Sequence, residues 1–189
     1  MRLKLTLEYD GTAFRGWAAQ PGLRTVEGVL QEALQRVFPR WGELAVAGRT
    51  DTGVHALGQV ASLEVEGGPP PERAAEALNA ELSDDVCVAA AAPSAPEFHA
   101  RHSALARSYR YRVYHRLARS PFETRRSWWF PRPLDEERLA ESADLLVGEH
   151  DRENGRESRQ RAVDQADHRG LDSLQQEGLA VRHRLEFSE

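Results

Sequence analysis

Hydrophobic and polar positions alternate from the start of the chain. Leu3, Leu5 and Leu7 are separated by Lys4, Thr6 and Glu8, a period-two pattern that predicts a strand with one buried face. Asp10-Gly11 signals a turn after it, and Pro21-Gly22 a second loop. After Thr25, an N-cap residue, the period changes. Val26, Val29, Leu30, Ala33, Leu34, Val37 and Phe38 then fall on one helical face. Strands are predicted at 43–47 and 58–66, a breaker at 67–71, a helix of strong formers at 72–82, and a strand at 86–92 despite its alanines. The second half of 99–116 alternates again, with Tyr109, Tyr111 and Val113 set against Arg110, Arg112 and Tyr114. That predicts a long strand with one basic face. Pro121, Pro131 and Pro133 punctuate a loop region holding Trp128, Trp129 and Phe130. Residues 134–148 read as a helix with an acidic first turn, which suits the macrodipole, and an apolar stripe of Leu139, Ala143 and Leu146. The order β-α-β-β-α-β-β-α predicts an α+β fold, a largely antiparallel sheet with helices on one face.

The pattern fails after Asp151. The last part of the chain, 151–189, has few apolar residues, one aromatic (Phe187) and weak helical periodicity, so it reads as a solvated helix or as disorder. Composition changes the picture little: 189 residues at 40% hydrophobic and 29% charged suit one domain with a real core or two small ones. No stretch approaches a membrane span, and the N-terminus has no signal-peptide pattern. One cysteine, Cys87, leaves no intrachain disulfide and no cysteine zinc site, and fits a reducing cytoplasm. The net charge of −5 does not advertise a nucleic-acid binder; its distribution says more, though a GC-rich genome is the bland explanation for cations that are almost all Arg. Phe98 to Phe122 contains no Asp or Glu and carries Arg101, Arg107, Arg110, Arg112, Arg116 and Arg119 with His99, His102 and His115. Such a stripe suits an anionic partner, or is simply a solvated strand face.

Candidate chemistry centres on AGRTDTGVHA (47–56), a predicted loop between two strands. Gly48 and Gly53 frame Arg49, Thr50, Asp51 and Thr52, so the loop can take a backbone shape that other residues resist. Two readings follow. In one, Asp51 merely bonds its own backbone in a turn. In the other, its carboxylate is a nucleophile or base, with Arg49 keeping it ionised and able to hold a phosphate. His55 reads as a structural histidine beside the turn, with an acid–base role as the alternative. Trp17, Tyr109, Tyr111 and Tyr114 are candidate stacking surfaces for bases. Most are read as core fillers; Tyr109 is the exception, because it opens a strand beside the basic stripe. A metal-dependent hydrolase built on Asp51 and His55 lacks clustered ligands at a helical spacing.

Five stretches together resemble the tRNA pseudouridine synthase A family: LEYDGTAFRGWAAQ (7–20), RTVEGVLQEAL (24–34), AGRTDTGVHALGQVA (47–61), LNAELSDDV (78–86) and FHARHSALARSYRYRVY (98–114). The resemblance covers about residues 1–150, in family order and spacing. It implies a pseudouridine synthase-like fold and an isomerase that converts uridine to pseudouridine in the anticodon stem-loop of tRNA, at positions 38–40. By matching position, Asp51 is the catalytic residue, Arg49 enters the RNA and helps hold the uridine flipped out, and Tyr109 packs against the flipped uracil. The family needs no cofactor and no metal, and works in the cytoplasm as a homodimer whose subunits share one tRNA. The carboxylate either attacks C1′ or takes the C2′ proton to give a glycal; the sequence leaves both routes open.

The resemblance also has departures. Ala18 stands where the family usually has Gln, Ser83 where proline is usual, and His99 where Asp is common. The family continues after GEHD with an aromatic-rich segment and a further α/β stretch that completes the second domain and one wall of the cleft. Nothing in 151–189 matches it, which points to a frameshift, with a truncation or a diverged end as the alternatives. The expected organisation is an N-terminal α+β domain at 1–98 carrying the catalytic loop, the start of a second α+β domain at 99–150 with the basic strand, and a non-family tail at 151–189. The second domain is then incomplete, with an exposed edge and an aggregation-prone product. An inactive remnant that retains at most tRNA binding is the alternative function.

Overall fold

The computed structural model describes residues 1–144 and 180–182. Two compact units divide the chain, one of residues 1–107 and one beginning at Ser108.

The first unit is a five-stranded sheet under two helices. Strand β1 (Arg2–Tyr9) pairs antiparallel with β4 (Ala56–Glu66) on one side and with β5 (Val86–Pro93) on the other. Two short strands, β2 (Arg40–Trp41) and β3 (Ala45–Val46), each pair antiparallel with β4. The predicted alternation holds: Leu3, Leu5, Leu7 and Tyr9 are buried while the residues between them face outward. Opposite them in register lie Leu63, Ala61 and Gln59. Helices α1 (Val26–Val37) and α2 (Pro71–Asn79) close that face, with Val26, Leu30, Ala33, Leu34, Ala74 and Leu78 buried in one cluster with the strand leucines. The α+β class, the antiparallel sheet and the covering helices therefore stand as predicted.

The opposite face of the sheet is also covered in part. Phe98 and Ala100 pack against Ala47 and Val60. The backbone N–H of Ala100 donates to Ser62 Oγ at 2.9 Å, and Arg2 donates to the Phe98 carbonyl at 2.7 Å. This packing carries the first unit out to Arg107, past the 98/99 division expected from sequence.

The second unit contains β6 (Arg110–Tyr114), β7 (Trp128–Trp129), α3 (Glu136–Asp144) and β8 (Ala180–Arg182). β6 is the central strand, parallel to β7 and antiparallel to β8. Three corrections arise here. The long strand shrinks to 110–114, and His99–Ser103 ahead of it closes a turn through N–H bonds from His102 and Ser103 to the His99 carbonyl. The Trp128, Trp129 region contains a strand; its backbone pairs with β6, a device that period-two patterning misses in two residues. Part of the tail, Ala180–Arg182, is likewise a strand, since the free backbone groups of β6 offer a partner to even three residues. The end of the 134–148 helix beyond 144, and the remainder of the 151–189 tail, lie outside the described residues.

Candidate active site

Three loops meet at one end of the first unit: β1 to α1 (10–25), β3 to β4 (47–55) and α2 to β5 (80–85). The middle loop is AGRTDTGVH. Four of its backbone groups and one of its hydroxyls are held from outside. The Ala47 carbonyl accepts from Arg107 Nε at 2.8 Å and from Nη2 at 2.5 Å. The Gly48 carbonyl accepts from Gln59 Nε2 at 2.6 Å. The Thr50 carbonyl accepts from Trp17 N–H at 2.9 Å, and its hydroxyl lies 2.8 Å from the Tyr9 hydroxyl. Gly53 N–H donates to the Phe14 carbonyl at 3.3 Å. Within the loop, Val54 N–H returns to the Asp51 carbonyl at 3.2 Å, and Gly53 sits at φ +79°, the left-handed conformation of the third position of a type II turn.

The first loop is fixed in turn by α1. Thr25 is the N-cap as predicted, its Oγ1 accepting from Gly28 N–H at 3.2 Å. The first N–H groups of the helix, at Val26 and Glu27, bond the carbonyls of Gly16 and Trp17. Trp17 is fully buried, a core filler as expected, and its N–H reaches Thr50. Helix α1, the first loop and the backbone of the 47–55 loop are thus joined in sequence.

This scaffold leaves Arg49 and Asp51 exposed. Among the described residues neither side chain has a hydrogen-bond or ion-pair partner. The turn reading, in which Asp51 bonds its own backbone, is not what forms. Nor does Arg49 pair with Asp51, since two solvated charges gain little by pairing. His55 is a structural histidine: its Nδ1 accepts from Gly11 N–H at 3.2 Å, with Asp10 Oδ1 also at 3.2 Å.

The third loop is tied to the first by an ion pair. Arg24 makes a bidentate pair with Asp85, at 2.7 and 2.8 Å, and also donates to Ser83 Oγ at 2.9 Å. Its guanidinium lies 4.1 Å from the centre of the buried Phe14 ring. Ser83, where the family usually has proline, donates to Asp85 Oδ1 at 2.7 Å and so joins this cluster. The hydrogen bonds from Arg24 hold the Asp85 carboxyl below its ordinary range. A depressed folded pKa contributes stability above the unfolded Asp value of about 3.9, and that stability is lost as pH falls through the folded value. The melting temperature of the native chain should therefore fall more steeply below about pH 4 than that of Asp85→Asn, in melts recorded at half-unit pH steps. Parallel curves would remove Asp85 from the acid response.

In the second unit Tyr109 precedes β6 and is 46% exposed. Tyr111 is also exposed, contrary to the core-filling expectation, whereas Tyr114 is half-buried. The basic stripe is thinner than its composition. Arg107 turns inward to the Ala47 carbonyl, and Arg112 pairs with Glu123 at 3.2 Å. Arg119 stacks over Trp129 at 4.3 Å. Arg101, Arg110, Arg116 and Arg119 remain exposed. Sequence reasoning missed Gln59, Arg107 and the Arg24–Asp85 pair as parts of this architecture. The only signal for Gln59 was a polar residue inside an apolar strand.

A family model described as tRNA pseudouridine synthase matches residues 6–103, more than half of the chain, including all three loops. The chain belongs to the tRNA pseudouridine synthase family. Among curated relatives, the tRNA pseudouridine synthase A of Thermus thermophilus is 48% identical over 153 residues, 79% of this chain and 59% of the relative. That of Frankia casuarinae is 47% identical over 154 residues, 80% of this chain and 56% of the relative. That of Agrobacterium fabrum is 42% identical over 153 residues, 79% and 58% respectively. The chain thus spans under two thirds of the length of these pseudouridine synthases. Among the described residues no helix is long and apolar enough to cross a membrane.

Proposed function

We propose that this chain acts as a tRNA pseudouridine synthase, isomerising uridine to pseudouridine at positions 38–40 of the anticodon stem-loop, with Asp51 as the catalytic carboxylate. The observation that carries this reading is the contrast within one loop: from Ala47 to Gly53 four backbone groups and the Thr50 hydroxyl are bonded, while Arg49 and Asp51 are left open to solvent. Fixed backbone with unengaged charged side chains is what a site needs in order to meet a substrate in one geometry.

The target base leaves its stack at a cost of a few kcal/mol, which an inserted Arg49 and a stacking Tyr109 offset. Asp51 then takes one of two routes. It attacks C1′, the C1′–N1 bond breaks with its electrons going to uracil, and a glycosyl ester holds the sugar. In the other, it removes the C2′ proton as C1′–N1 breaks, giving a glycal and free uracil. In either case the base turns and C5 bonds to C1′, which releases the Asp51 carboxylate in the first route and returns the proton to C2′ in the second; the C5 proton is lost and N1 takes one up, so the net change is an isomerisation that consumes no co-reactant. The proposed setting is a cytoplasmic homodimer whose subunits share one tRNA.

The second reading is an inert remnant that binds tRNA without turnover. The exposure of Asp51 favours it, because the reaction needs the flipped base walled off from water. Incubation of the chain with an unmodified tRNA transcript, beside a transcript carrying cytidine at 38–40, separates the two. Pseudouridine in the first transcript alone supports the synthase. Retarded tRNA without product selects the remnant, and neither binding nor product overturns both.

A further inference from the structure

We propose that Tyr9 and Gln59 are positioning residues that set the direction of Arg49 and Asp51 through the hydroxyl of Thr50. The proposal takes Asp51 and Arg49 as the working residues, as proposed above.

The directions of the hydrogen bonds follow from chemistry. Gln59 Nε2 faces the Gly48 carbonyl at 2.6 Å, and a carbonyl only accepts, so the amide nitrogen, not the oxygen, lies on that side. The same nitrogen lies 3.3 Å from the Tyr9 hydroxyl and can only donate to it. Tyr9 Oη therefore accepts from Gln59, and it shares a second hydrogen bond with Thr50 Oγ1 at 2.8 Å, in which either hydroxyl can donate. Tyr9 and Gln59 are 5% and 6% exposed, in the apolar cluster beneath the helices, where an unmade hydrogen bond is expensive. Burial therefore makes this relay costly to break.

The relay acts on the one residue that lies between the two exposed charges. Thr50 is half-buried, and Arg49 and Asp51 on either side are exposed. Anchoring the central side chain inward turns its two neighbours outward. Gln59 fixes Gly48 one step earlier, so the backbone is held on both sides of Arg49. The ring of Tyr9 packs independently of its hydroxyl, at 6.5 Å from Phe14 and 6.2 Å from Trp17. Tyr9→Phe thus removes the relay and keeps the packing.

The test is a double-mutant cycle with Tyr9→Phe and Thr50→Val in the full chain, read in two ways. In turnover on a tRNA transcript, each single variant should lower kcat about 10- to 100-fold with KM for tRNA little changed, the loss that a small misplacement produces. The double variant should lose no more than either single, because both remove the same link. By hydrogen exchange, amides of 48–54 should lose protection in each variant while those of β1 and α1 keep it. Additive losses overturn the proposal, as does loss of protection throughout the first unit. If the native chain makes no product, the synthase reading fails by itself. The exchange cycle then decides the relay alone: unchanged protection at 48–54 in Tyr9→Phe contradicts it.

Discussion

Gly11→Ala is expected to unseat the 47–55 loop and to destabilise the first unit. A Cβ at Gly11 would overlap the backbone O, C and N atoms of Val54. No flexible side chain can swing away, so either the turn after β1 or the 47–55 loop must move. Overpacking of this kind costs about 1–3 kcal/mol even where side chains yield, and backbone against backbone belongs at the upper end or beyond. The same displacement pulls Gly11 N–H from His55 Nδ1. Against a typical total stability of about 5–15 kcal/mol, the shift should be plain in a urea melt, and exchange at 47–55 should rise with it. A variant that melts within about 0.5 kcal/mol of the native chain, with the loop still protected, would refute the close packing of these two loops.

Asp51→Asn should do the reverse. Among the described residues the Asp51 side chain has no partner, so the substitution removes no folded-state interaction. Its melting midpoint should lie within about 0.5 kcal/mol of the native chain, the ordinary range for an exposed position. Activity should nevertheless disappear, because an amide is neither a nucleophile toward C1′ nor a base for the C2′ proton. Stability without turnover in one variant, and lost stability in Gly11→Ala, would separate the working group from the scaffold that holds it. A large destabilisation by Asp51→Asn would mean that the carboxylate has a structural role instead.

Much of this fold was legible because local patterns matched the final packing. The leucines at 3, 5 and 7 and the stripe from Val26 to Phe38 face the core that their periods demand. Strands β2 and β7 were not legible, since two residues carry no period and exist only through pairing with β4 and β6. The site divided in the same way. Arg49 and Asp51 stood out between two glycines within a few residues of each other. Their supports come from far along the chain: Tyr9 is 41 residues from Thr50, and Arg107 is 60 from Ala47. Arg107 in particular reads as one more cation in a basic stripe, and only the fold reveals that its guanidinium is spent on a carbonyl. Ser83 shows the converse, a departure from the family pattern that the local ion pair absorbs.

The central claim is that the loop from Ala47 to Gly53 presents Asp51 for chemistry on uridine. Pseudouridine formation on an unmodified tRNA transcript, measured for the 189-residue chain beside Asp51→Ala, tests it most directly. The expected result is product from the native chain and none from the variant. Equal product from both would contradict the assignment of Asp51, and product from neither would contradict the activity of this chain.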